Sequence, residues 1–258
     1  LDRRQRQMCI RDRSNPAFVG IDLAWGERAR TGLAVVDSTG SLIDSASVRS
    51  DEDIDEWLDR AARAPVVVAI DAPLVVTNAT GQRSCERMVS KQFGRFGASC
   101  HTSNLGRSWF NPPRGATLAD RHGWDIDATR VGTEQHPVAL EVYPHPAMVA
   151  LFALDRVIAY KGKAGRSVDA RRSAFRDLIG HMNTLRPLNL GASDRWGVLE
   201  AAVDLASRQV GLDRIEDEID AIFCAHLAWL WHHDRDSMQV FGDRATGSIV
   251  TPMLPQPR

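Results

Sequence analysis

Residues 66–71 read VVVAID, an unbroken apolar run that ends in an acid. A β-branched run without polar alternation predicts a strand covered on both faces. That calls for helices over both faces of the sheet at this strand. Pro73 has no amide to donate to a ladder, so it closes the strand just past Asp71.

The rest of the chain supplies partners for such a strand. Ala17–Ala24 (AFVGIDLA), Gly32–Asp37 and Ser41–Val48 read as three strands. The turns at Gly26–Arg30 and Ser38–Gly40 make them an antiparallel meander. Ser50 or Asp51 caps a following helix that Pro65 ends, and a short helix is expected within Gly81–Phe93. Residues 91–136, with isolated Trp109, Phe110 and Trp124, read as a long irregular insertion. A strand at Val138–Val142 and a helix starting after Pro146 follow. Lys161–Gly165 reads as a basic link. Ser167 caps a helix to Leu185, and Asp194 caps another that runs to Val210 and stops at Gly211. Asp213 and Glu216 are spaced as a capping box for a last helix ending at His233, and Ser248–Val250 is a short terminal strand. The expected class is α/β, with helices on both faces of a mixed sheet made of a three-strand antiparallel meander plus parallel strands. One domain over 17–253 is expected. Residues 1–16 are expected to be a tail, because Leu1–Arg13 is basic and aperiodic and resembles translated adapter sequence or a disordered arm.

Composition removes several classes of function. Lys plus Arg is 32 against 33 Asp plus Glu, so a wholly basic nucleic-acid coat is excluded while a local basic face is not. The 43% hydrophobic content is enough for a core. No apolar run reaches the roughly 18 residues of a membrane span. Four cysteines, widely spaced and without a C-x-x-C pair or a secretory leader, point to reduced thiols and a cytoplasmic setting. P-loop and nucleophile-elbow motifs are absent.

Acids fall where a core cannot use them. Asp22 interrupts the first strand, Asp71 ends the central run, and Glu141 lies in VALEVYP. An unpaired buried carboxylate costs several kcal/mol, so each needs a partner or a cation. Each alone is compatible with a loop cap or an arginine pair. Together they mark the strand ends where α/β sheets hold ligands. On the last helix Asp217 and Asp220 share a face one turn apart, which continues into Cys224, Leu227 and Trp231. The macrodipole accounts for acids in a first turn but less well for Asp220. Several converging carboxylates call for a hard cation, Mg²⁺ or Mn²⁺. Two such ions about 4 Å apart suit phosphodiester hydrolysis.

Five segments carry a resemblance: VGIDLAWGE (Val19–Glu27), AIDAPL (Ala69–Leu74), GQRSCER (Gly81–Arg87), EVYPHPA (Glu141–Ala147) and DEIDAIFCAHLAW (Asp217–Trp229). Over Phe18–Pro252 the chain resembles domain-of-unknown-function family 429, usually described as predicted nucleases of RNase H-like fold. Within that superfamily the pattern is similar to Holliday-junction resolvases. The resemblance implies that Asp22, Asp71, Asp217 and Asp220 hold metal. It also implies that Asp22, Asp71, Glu141 and Asp220 are catalytic, with Glu141 matching only the family's own E-x-x-P motif.

Basic segments are the expected route to a nucleic-acid partner. Residues 81–130 carry a net +4 (eight basic, four acidic) and 156–176 a net +6 (seven basic, one acidic), whereas 194–220 carry −5 (three basic, eight acidic). Arg83, Arg87 and Lys91 recur at a helical turn as a basic face, and Lys161 and Lys163 form a second group. Trp109 and Phe110 are candidates for stacking on bases, and His145 for proton transfer. Two alternatives stay open. Gly20-Ile21-Asp22 resembles the first phosphate motif of the sugar-kinase, actin and heat-shock chaperone group, which would make the chain a nucleotide-binding protein. The fold can also serve a non-catalytic nucleic-acid-binding protein.

Overall fold

The computed structural model describes residues 16–26 and 29–255; residues 1–15 of the expected tail and residues 27 and 28 of the first turn lie outside them. Five strands form the main sheet: β1 (Ala17–Asp22), β2 (Thr31–Val36), β3 (Leu42–Val48), β4 (Pro65–Ile70) and β5 (Val138–Glu141). Their order is β3-β2-β1-β4-β5. β1, β2 and β3 pair antiparallel, while β1–β4 and β4–β5 are parallel. This mixed sheet is consistent with an RNase H-like layout. All six β4 side chains are buried, as the VVVAI run requires of a strand covered on both faces. Pro65 opens β4, where its missing amide costs no ladder bond.

Among the described residues there are seven helices, five of which cover the two faces of the sheet. α1 (Asp51–Ala61) and α3 (Arg114–Arg121) pack on one face, over Val19, Ile21, Val68 and Ile70. Ser50 is the α1 cap: its hydroxyl accepts from the Asp53 amide, and Asp53 accepts from the Ser50 amide. α5 (Val168–Thr184), α6 (Asp194–Leu205) and α7 (Gln209–His233) pack on the other face, over Phe18, Val67 and Ala69. α7 lies so close to the sheet that a Cβ on Gly20 would stand 2.0 Å from the Ala221 carbonyl oxygen, and one on Gly32 would stand 1.8 Å from that of Asp217. Only glycine permits that approach, and it sets residues 217–221 of α7 over β1 and the start of β2. α2 (Ser84–Phe93) and α4 (Pro144–Leu151) share a smaller core with the hairpin β6 (Met238–Asp243) and β7 (Gly247–Pro252).

Four expectations need correction. The 91–136 segment is not wholly irregular: it holds α3 and buries Leu118, Ala119 and Trp124 against the sheet. α4 starts at Pro144, because proline is tolerated in a first helical turn whose amides have no partner. α6 stops at Leu205, and Gly211 lies in the opening turns of α7. Asp213 and Glu216 therefore sit inside α7, so neither forms a capping box. Both accept hydrogen bonds from the buried Arg171 instead (2.7 and 2.8 Å). Among the described residues no helix is long and apolar enough to cross a membrane.

Candidate functional site

Parallel pairing sets the first two acids side by side. Asp22 is the last residue of β1, and Asp71 follows β4 with its amide donating to the Ile21 carbonyl at 2.8 Å. α7 adds Glu216, Asp217 and Asp220 from above. Asp22, Asp71, Glu216 and Asp217 are half-buried at the wall of a cavity of about 1010 Å³, whose lining also includes Trp25 and His145. Asp220 lies behind them, fully buried, with one oxygen accepting from the Tyr160 hydroxyl at 2.7 Å.

Crowding and burial shift these groups. Burial is the main cause that pushes the Asp22 carboxyl well above its ordinary range; Lys161 opposes it, while Asp71, Asp220 and Asp217 add to it. Asp71 and Asp217 are each pushed up to about 7, first by burial and then by neighbouring acids, again against Lys161. The folded chain therefore holds protons that the unfolded chain releases near the ordinary value of 3.8. Their contribution to stability is fully present below that pH and is lost as pH rises to about 7. Without added metal, the urea midpoint is expected to be lower at about pH 8 than at about pH 5.5, in the direction linkage requires. A midpoint that does not fall would contradict carboxylates crowded in this way. His145 is pulled down to about 4, chiefly by burial, so it is neutral at neutral pH.

The structure does not place every sequence-derived candidate in this group. Glu141 is buried and clamped by Arg83: it accepts from one guanidinium nitrogen at 2.9 Å, contacts a second, and accepts the Leu74 amide at 3.0 Å. Through Leu74 it braces the turn that follows Asp71, and with Asp71 it lines a smaller neighbouring pocket. Arg83 also bonds Glu86 (2.9 Å) and the Val75 carbonyl (2.8 Å). It is buried, so the expected basic face is split: Arg87 and Lys91 are exposed, but Arg83 has no surface to offer a phosphate. Lys161 is not a free surface cation either. Its ammonium contacts Asp220 and lies 3.5 Å from Glu216 and 3.7 Å from Asp22. Lys163 is exposed on the cavity wall. Phe110 is buried and cannot stack on a base, whereas Trp109 and Trp25 are exposed. Trp25 packs edge-on against His101 and Phe110 at the cavity. Trp25 and Tyr160 escaped the sequence reading; the signal was their adjacency to Asp22 and Lys161.

A family model described as Protein of unknown function (DUF429) matches residues 20–246, a span that includes all these acids. The chain belongs to this family. No curated protein and no solved structure matches it. The acid cluster of this DUF429 chain can be tested for a divalent cation by its donor chemistry. Every donor is a hard oxygen, as Mg²⁺ or Mn²⁺ requires. Asp22 Oδ2 is buried and accepts no hydrogen bond, while Asp220 Oδ2 is buried against the Lys161 ammonium. The donors therefore fit. The arrangement itself is closed around an ammonium, and among the described residues no group of three or more His, Cys, Asp or Glu is set out to hold a metal ion.

Proposed function

We propose that this chain is a metal-dependent hydrolase of phosphodiester bonds in nucleic acid. The observation that carries the reading is the convergence of acids from β1, the end of β4 and α7 on one cavity, where the buried Asp22 Oδ2 accepts no hydrogen bond. Asp22, Asp71, Asp217 and Asp220 would hold Mg²⁺ or Mn²⁺, with room in the donor count for two ions. The chemistry such ions supply when bound is activation of water and stabilisation of charge on a leaving oxygen. The chain's own residues do the rest. Tyr160 orients Asp220 through its hydroxyl. Glu141 and Arg83 hold the turn after Asp71. Trp25, exposed beside the acids, offers a face for an unstacked base. Exposed Lys163, Arg87 and Lys91 are the remaining candidates for phosphate contacts. A cytoplasmic setting goes with this reading and is supported by the free thiols of Cys85, Cys100 and Cys224.

The test is incubation with labelled single-stranded, duplex and branched oligonucleotides, with and without Mg²⁺ or Mn²⁺. Cleavage that requires the cation is expected on at least one of them. No cleavage of any, together with tight binding of Mg-ATP in calorimetry, would instead favour the nucleotide-binding alternative.

A further inference from the structure

The acids already enclose a cation, and the chain itself supplies it. The Lys161 ammonium contacts Asp220 Oδ2 and lies within 3.7 Å of Asp22 and Glu216. The backbone that carries it is pinned on both sides. Tyr160 is buried, with its hydroxyl on Asp220 and its carbonyl accepting from Arg171 at 2.9 Å. The Lys161 carbonyl accepts from Arg166, and the Gly162 amide donates to Glu216 at 3.2 Å. Beyond the backbone is a flexible four-carbon stem, and 33% of the side-chain surface is exposed. Without compensating charge the buried acids would repel one another, and the ammonium relieves that repulsion. It does so incompletely, because it brings one charge to a cluster of several acids in which the buried Asp22 Oδ2, 3.7 Å from the ammonium, still accepts no hydrogen bond.

We propose that Lys161 is a tethered, displaceable stand-in for a divalent cation. Its ammonium occupies the acid cluster in the absence of metal and swings into the cavity when metal binds, which brings it to where a substrate phosphate would approach. The inference rests on the metal-site reading above. Ammonium and metal compete for the same oxygens and repel each other, so apparent metal affinity is reduced by the fraction of molecules whose cluster is closed on the lysine. Lys163, exposed on the same cavity, carries equal charge but makes none of these contacts, and it serves as the control for charge alone.

Two measurements on the full chain test this without relying on cleavage. Mn²⁺ binding, followed by electron paramagnetic resonance, is expected to be about tenfold tighter for Lys161→Gln than for the wild type, with a much smaller change for Lys163→Gln. In the wild type, acetylation of Lys161 relative to Lys163, read by peptide mass spectrometry, is expected to rise about fivefold or more with saturating Mn²⁺, as the ammonium leaves its carboxylates. Mn²⁺ bound without any change in Lys161 acetylation overturns the proposal, as does Lys161→Gln binding Mn²⁺ no more tightly than the wild type. Should Lys161→Gln fail to fold, wild-type acetylation decides alone. Absence of Mn²⁺ binding in every protein is a different failure, because it removes the metal site itself and the lysine's role with it.

Discussion

Asp22→Asn is expected to reduce cation-dependent cleavage by at least about a hundredfold, the scale of losing one preorganised electrostatic group at a reacting centre. Asparagine keeps the shape and removes the charge. In the same variant, stability without metal should rise. Asp22 is held well above its ordinary pKa, chiefly by burial, so the fold disfavours its ionised form and a neutral isostere relieves that cost. Loss of activity with a gain in stability is the signature of a site that trades one for the other. Gel assays of oligonucleotide cleavage and urea unfolding of the same preparation read both. Cleavage that survives Asp22→Asn would move the chemistry elsewhere in the molecule.

Glu141→Ala is expected to produce the largest loss of stability, about 3–5 kcal/mol, because it leaves the Arg83 guanidinium buried without its main counter-charge. Arg83 and Glu141 are both buried, and their contact is bidentate. Removing the carboxylate also strands the Leu74 amide. Glu141→Gln keeps an acceptor for that amide and should lose less. Urea denaturation measures both variants. A loss below about 1 kcal/mol for Glu141→Ala would mean that the clamp contributes little, contrary to what a broken buried pair costs.

Local pattern made much of this molecule readable. The VVVAID run announced its own burial, and the meander followed from turn residues between short apolar runs. Ser50 and Ser167 cap their helices as their positions suggest. Pattern failed where a residue's role is set by a partner far along the chain. β6 was missed because its burial alternates irregularly, and it exists by pairing with β7 and packing Phe241 on Phe93. Asp213 and Glu216 have the spacing of a cap, but Arg171 claims them from another helix. Arg83 looks like one member of a basic stripe with Arg87 and Lys91. Only the fold turns it inward, where Glu86 and Glu141 can satisfy it.

The candidate site divides along the same line. An acid in or at the end of a buried strand is visible in one dimension, since desolvating a carboxylate is costly wherever the strand ends up; Asp71 stands at its strand end as read, whereas β1 stops at Asp22 and does not run on to Ala24. That the two stand side by side depends on parallel pairing of strands some fifty residues apart, which loop closure makes affordable but local sequence does not encode. The placement of α7 depends on glycines at 20 and 32 that let helix and sheet backbones touch. The position of the Lys161 ammonium is wholly tertiary. A lysine in a basic link reads as a surface charge until folding encloses it with acids from β1 and α7, because attraction falls with distance in space and not with separation along the chain.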